Sequence, residues 1–249
     1  PFELLAPDFY GTQSRPHWPG GHAFTLADEA RPILEVLDGL EEKVHLVGHS
    51  YGGGVALHIA RARPAAVASL TLYEPSAFHL LKAEGGARTP CYREIRQVAE
   101  ACAEGLVSGD YRRAATGFVD YWGGSGTWAA LKPSLQEALV RWLPKAPLDF
   151  RALMQEPGEL DDCRSLRFPV LILRGSLAPA PTATVAMLLA GVLPDCTLEV
   201  LAGAGHMGPV THGEEVAARI RDFFTSLTTH RDPHPAAARS AAFPPLAYF

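Results

Sequence analysis

The segment Gly48-His49-Ser50-Tyr51-Gly52 carries one hydroxyl between two glycines. It follows the apolar run Val44-His45-Leu46-Val47 and precedes a helical pattern over residues 51–62. A serine hydroxyl is a weak nucleophile until a base takes its proton, and a sharp strand-to-helix turn lifts it toward such a base. The turn forces the serine into a strained backbone conformation, so Gly48 and Gly52 are expected to be glycines because a Cβ at either would clash. It also puts the free amide of Tyr51 in the first turn of a helix, where the helix dipole favours an oxyanion. A glycine-rich turn that only lets helix and strand pack closely is the plainer alternative, and the strand–turn–helix setting argues against it.

Ten histidines compete for the role of base. Gly203-Ala204-Gly205-His206-Met207-Gly208-Pro209 stands out, because its glycines allow a loop after the apolar run 197–201 to bring an imidazole back over the strand ends. Imidazole takes and returns a proton near neutral pH, so His206 is expected to be the general base for Ser50. His212 lies beyond Pro209, His45 lies in a buried run, and His49 is read as packing beside the nucleophile.

These groups need elements to hold them. Thr25-x-x-Asp28 reads as a capping box for a helix with a stripe of Leu26, Ala30, Ile33, Leu34 and Leu37, and Pro32 inside it predicts a kink or a later start. Short apolar runs at 2–6, 44–47, 67–73, 169–173 and 197–201 read as strands, separated by helical patterns that include 182–191 and 213–227. Such alternation predicts an α/β fold, a mostly parallel sheet with helices on both faces. Residues 77–164 have helical periodicity and scattered aromatics, which predicts an inserted helical cap on a core of residues 1–76 and 165–228. Residues 229–249, rich in Ala and Pro, read as a disordered tail.

This combination resembles the α/β-hydrolase family over residues 2–227. Pro7-Asp8-x-x-Gly11 with Ser14 is similar to that family's turn before the nucleophile strand, although Thr12 and Gln13 stand where a further glycine is usual. The resemblance implies a carboxylate to orient His206, normally in the loop after the strand at 169–173. That loop, Arg174-Gly175-Ser176-Leu177-Ala178-Pro179-Ala180-Pro181, contains none. Glu74 ends the strand after the nucleophile's helix, at the sheet edge where ligand sites form, and some relatives take their acid there. Glu74 is therefore expected as the third member, and Asp161 and Asp162 are set aside as lying at the wrong end of the next strand. The resemblance also places about three strands, a helix and the second oxyanion donor upstream of Pro1, so the core is expected to be N-terminally incomplete.

The rest of the sequence narrows the chemistry. A net charge of −5 without a continuous basic run argues against a nucleic-acid partner. No apolar stretch is long enough to span a bilayer, so no membrane partner is expected. Four dispersed cysteines and no secretory leader suggest reduced thiols and a cytoplasmic setting. No metal cluster or dinucleotide fingerprint is visible, so no metal or cofactor is expected. Tyr111, Phe118, Tyr121, Trp122, Trp128, Trp142 and Phe150 in the insertion suit a small-molecule substrate with an apolar or aromatic group, though most are read as the insertion's own core. Gly123-Gly124-Ser125-Gly126 reads as a flexible joint. The expected reaction is hydrolysis of a small carboxylic ester through an acyl-enzyme on Ser50. A C–C bond hydrolase with the same three residues and a non-catalytic binding protein are the alternatives.

Overall fold

The computed structural model describes residues 3–12, 15–82 and 90–229. Four strands, β1 (Val44–His49), β2 (Val67–Tyr73), β3 (Val170–Gly175) and β4 (Cys196–Leu201), pair in the order β1-β2-β3-β4. Every pairing is parallel. Because each strand is laid beside the last in the same direction, right-handed crossovers carry the connecting helices to one face.

The side chains show this division. Leu70, Leu72, Val170 and Ile172 join a large cluster with Val55, Ile59, Val185 and Leu189 of the crossover helices α2 (Ser50–Ala62) and α8 (Ala180–Val192). The intervening Tyr73, Leu171 and Leu173 pack on the opposite face against Val216 of α10 (Gly213–Thr229). The period-2 alternation of a strand thus supplies both cores.

The first helix, α1 (Leu26–Asp38), begins with the expected capping box: Thr25 accepts from the Asp28 amide, and Asp28 accepts from the Thr25 amide. It runs through Pro32 without interruption. One lost backbone bond is outweighed by the capped end and by the buried Leu26, Glu29, Ala30 and Leu37. The expected strand at 2–6 is not present over its described residues 3–6, which are coil. Leu4 and Leu5 are 69% and 59% exposed and have no ladder to join, and an extended run becomes a strand only when its amides find partners.

Between β2 and β3 the described chain is helical: α3 (Pro90–Ser108), α4 (Tyr111–Gly123), α5 (Thr127–Ala130), α6 (Pro133–Trp142) and α7 (Ala146–Gln155), with short 3₁₀ turns. Ile95, Trp122, Leu143, Phe150 and Leu153 from this segment belong to the same apolar cluster as the sheet. The glycine joint is an ordered turn, with Gly124 and Gly126 at φ 95° and 85° and the Trp128 amide donating to Asp120 at 2.8 Å. The short α9 (Gly208–Thr211) follows the β4 loop. Among the described residues no helix is long and apolar enough to cross a membrane. The expected tail lies outside the described residues except Thr229, which ends α10.

Candidate active site

The carboxyl ends of all four strands converge. Ser50 follows β1 and Glu74 follows β2, and the register pairs His49 with Tyr73, so both stand one residue beyond the same rung. Among the described residues these two are the only non-glycines with positive φ, 52° at Ser50 and 43° at Glu74. Left-handed backbone at an ordinary residue costs about 1–3 kcal/mol and persists only where the surroundings impose it. Here it occurs at the two expected site positions on neighbouring strands.

The glycines around the turn divide differently from the sequence expectation. A Cβ on Gly48 would stand 2.5 Å from the Gly52 carbonyl oxygen and 2.7 Å from the Gly53 Cα. One on Gly53 would stand 2.9 Å from the Pro75 Cα. At Gly52 the nearest atom would be a Phe9 ring carbon at 3.8 Å, an ordinary contact. The close approach that demands glycine is therefore at Gly48 and Gly53, where β1, α2 and the chain after β2 crowd together, and not at Gly52.

From Ser50 the groups form one continuous chain. Its Oγ lies 2.8 Å from His206 Nε2, and His206 Nδ1 lies 2.8 Å from Glu74 Oε2. A carboxylate only accepts, so Nδ1 carries the proton and Nε2 is left to accept from the serine hydroxyl. Glu74 is fully buried and accepts two more bonds, from the Gly175 amide at 2.9 Å and the Thr182 hydroxyl at 2.9 Å. The end of β3 and the first turn of α8, on either side of the acid-free loop, thus contribute an amide and a hydroxyl that hold a carboxylate from the end of the neighbouring β2. Asp161 and Asp162 instead face Arg164 and Arg61.

The loop carrying His206, which is 2% exposed, is pinned from two sides. The Tyr73 hydroxyl donates to the Gly205 carbonyl at 2.8 Å, and His49 Nε2 donates to the His206 carbonyl at 2.8 Å. A Cβ on Gly208 would collide with the Tyr73 hydroxyl, and one on Gly175 with the Ala204 backbone. Burial, followed by the nearby His206, lowers the His49 pKa to about 4, so it stays a neutral donor near pH 7. Ser76 Oγ stands 3.3 Å from Ser50 Oγ, and its amide donates to the Ser50 carbonyl at 3.0 Å. The Trp122 indole of α4 covers the His206 ring, with centroids 4.2 Å apart and planes at 34°.

A second buried polar cluster lies beside the Tyr51 side chain. Glu29 of α1, fully buried, accepts from the Tyr51 hydroxyl at 2.8 Å, Lys145 Nζ at 2.8 Å and the Tyr10 amide at 2.9 Å. Arg15 Nη1 approaches it at 3.3 Å. Lys145 also pairs with Asp149, whose carboxyl burial pushes up to about 7 despite that lysine. Burial and the two carboxylates push the Tyr51 phenol well above its ordinary range, so it remains a donor. The Tyr51 ring therefore anchors α2 to α1, while its backbone sits in the first turn after Ser50.

The structure brings Ser50, His206 and Glu74 within hydrogen-bonding distance of one another in sequence, whereas His45 and His212 stand against Ser69 and Thr211. Sequence reasoning missed Thr182, Gly175, Ser76 and the particular place of Trp122. An acid-free loop that still opens with glycine and runs into a Thr-containing helix start was the available signal for the first two.

A parallel sheet with an acute serine turn after one strand, and a histidine loop and a carboxylate at its other strand ends, defines a nucleophile-elbow α/β protein. The chain belongs to the alpha/beta hydrolase family, whose model matches residues 2–219. It is 31% identical over 237 residues to lipase LipV of Mycobacterium tuberculosis, covering 88% of this chain and 82% of that protein. It is 26% identical over 229 residues to a 2-hydroxymuconate semialdehyde hydrolase of a Pseudomonas species, covering 88% and 75%. Among solved structures, a hydrolase of Pseudomonas aeruginosa shares the fold with a TM-score of 0.68 at 23% identity, covering 87% and 77%.

Proposed function

We propose that the chain hydrolyses a small carboxylic ester through an acyl-enzyme on Ser50. The observation that carries the reading is the unbroken path from Ser50 Oγ to His206 Nε2 and from His206 Nδ1 to Glu74 Oε2, both steps 2.8 Å. As Ser50 Oγ attacks the ester carbonyl, its proton passes to Nε2. Negative charge develops on the carbonyl oxygen beside the α2 N-terminus, where the Tyr51 amide is the donor from this chain. The imidazolium then protonates the departing alcohol, leaving the acyl group on Ser50. Water repeats the sequence, giving its proton to Nε2 and releasing the acid as Ser50 recovers its own. Glu74 holds Nδ1 protonated and compensates the charge on the ring without taking the proton.

Residues 77–164 act as a cap in this reading, since Trp122 from that stretch lies on the base. The surrounding Phe78, Phe118 and Tyr121 suit an apolar or aromatic group. Incubation with a fluorophosphonate and with p-nitrophenyl esters tests the proposal. Labelling and turnover that vanish in Ser50→Ala support it, and an unlabelled, inactive parent protein points instead to a binding role.

A second reading rests on the likeness to the 2-hydroxymuconate semialdehyde hydrolase. The same three residues would then cleave a carbon–carbon bond in a ring-cleavage product. Faster turnover of such a dienone than of any ester in the panel favours that reaction.

A further inference from the structure

We propose that Trp122 is a positioning residue for the reaction: its indole face stabilises the imidazolium that His206 becomes when it takes the serine proton. This rests on the reading of Ser50, His206 and Glu74 given above. The imidazole has two edges and two faces to satisfy. Both nitrogen edges are occupied, Nδ1 by Glu74 and Nε2 by Ser50. A face remains for contact, and Trp122 covers it at a centroid distance of 4.2 Å.

The contact has different strengths before and after proton transfer. Against the neutral ring it is dispersion, equal in kind to any packed pair. Against the cation it gains the attraction of the indole quadrupole, which is strongest for tryptophan among the aromatic residues and grows when water is excluded. Only an interaction that strengthens along the reaction lowers the barrier. The other groups around His206 do not oppose the cation: Glu74 is its counter-ion, Ser50 and Tyr73 carry hydroxyls, and His49, 5.0 Å away ring to ring, stays neutral near pH 7.

The indole is well held. Trp122 is 8% exposed and wedged by Phe78, Phe118 and Tyr121. The end of its helix is fixed where the Gly124 amide donates to the Asp120 carbonyl at 3.0 Å. The segment between β2 and β3 thereby enters the electrostatics of the base as well as forming a wall.

The test keeps the shape and drains the face. Replacing tryptophan with fluorinated analogues of increasing substitution should lower kcat stepwise, by about 2- to 30-fold in total, with KM little changed. In Trp122→Phe the same labelling should have no effect, since Trp18, Trp128 and Trp142 make their ring contacts elsewhere. That variant should itself stand between the parent protein and Trp122→Leu in kcat. Fluorination without effect, or an equal decline in Trp122→Phe, overturns the proposal. A measurement independent of turnover accompanies it: the imidazole C–H resonances lost in His206→Ala should be shifted upfield in the parent protein by the indole ring current and return in Trp122→Leu. Unchanged resonances overturn the stacking. Shifted resonances in a protein that neither labels nor turns over any substrate overturn the Ser50 reading, and with it the catalytic use of the ring.

Discussion

Glu74 and Glu29 are both fully buried carboxylates, and they are satisfied in opposite ways. Among the described residues Glu74 has no lysine or arginine partner; an amide, a hydroxyl and an imidazole hold it. Glu29 faces the cation of Lys145, with Arg15, the Tyr51 hydroxyl and the Tyr10 amide completing its shell. A carboxylate held by neutral donors keeps its charge available to whatever its movable neighbour becomes, and here that neighbour is the His206 imidazole beside Ser50. One already neutralised by a buried cation has little left to offer a passing proton but joins segments far apart, residues 29 and 145 being separated by 116 positions. One arrangement is suited to relaying charge and the other to clamping the helices that carry the relay.

The contrast breaks first at Glu74. In Glu74→Gln the amide nitrogen that replaces Oε2 would face His206 Nδ1 with hydrogens, so the imidazole must reverse its tautomer and present Nε2–H to Ser50. Turnover of the best ester should fall about 10⁴-fold while the urea midpoint moves little. A variant with near-parental kcat removes Glu74 from the mechanism. Lys145→Met should do the reverse. It leaves Glu29 and Asp149 short of their shared cation, and loss of one partner from a buried pair costs about 3–5 kcal/mol. Urea denaturation measures this, and a change below about 1 kcal/mol would mean that Lys145 is not the clamp its distances suggest.

A smaller effect separates the two glycines of the serine motif. Gly48→Ala drives a methyl into the α2 backbone and should cost at least about 1–3 kcal/mol together with activity. Gly52→Ala has ordinary space and lies in a helix, so its stability should stay within about 1 kcal/mol of the parent protein. Equal damage from both would restore the symmetric pattern that the sequence alone suggests.

That pair also shows what was legible in the sequence. The serine turn, the histidine loop and Glu74 are local signals, each readable from a few residues at the end of an apolar run. The parallel sheet followed from alternating strand and helix patterns, and the Thr25–Asp28 cap was readable outright. What failed depended on partners distant in the chain. The run at 2–6 had strand chemistry but no ladder, Gly52 looked as constrained as Gly48, and the later start that Pro32 allowed for did not occur, since α1 begins at Leu26 behind its Thr25 cap. Trp122 and Trp128 are equally buried, and nothing in their spacing tells which one reaches His206. The Glu29–Lys145–Asp149 cluster was invisible because Glu29 lies over a hundred residues from the other two.

The finest test lies in the pH dependence of stability, where the two regions pull in opposite directions. Asp149 is shifted from 3.8 up to about 7 by burial. Between those values the folded chain keeps a proton that the unfolded chain releases, so this group makes stability fall as pH rises through the window. His49 moves the other way, from 6.5 to about 4, and His79, also desolvated, does the same. Between pH 4 and 6.5 the unfolded chain binds protons at these two positions that the folded chain refuses, so they make stability rise with pH. Two rising contributions outweigh one falling contribution below pH 6.5, and the aspartate acts alone from there to about pH 7. Urea stability should therefore climb, crest near pH 6.5 and then decline slightly. In Asp149→Asn the decline should vanish and the climb should steepen by up to about 1.4 kcal/mol per pH unit, the value of one proton. Superimposable profiles would show that the Lys145 pair keeps Asp149 ionised through neutrality, and that the clamp carries its full charge in spite of the burial that raises the carboxyl.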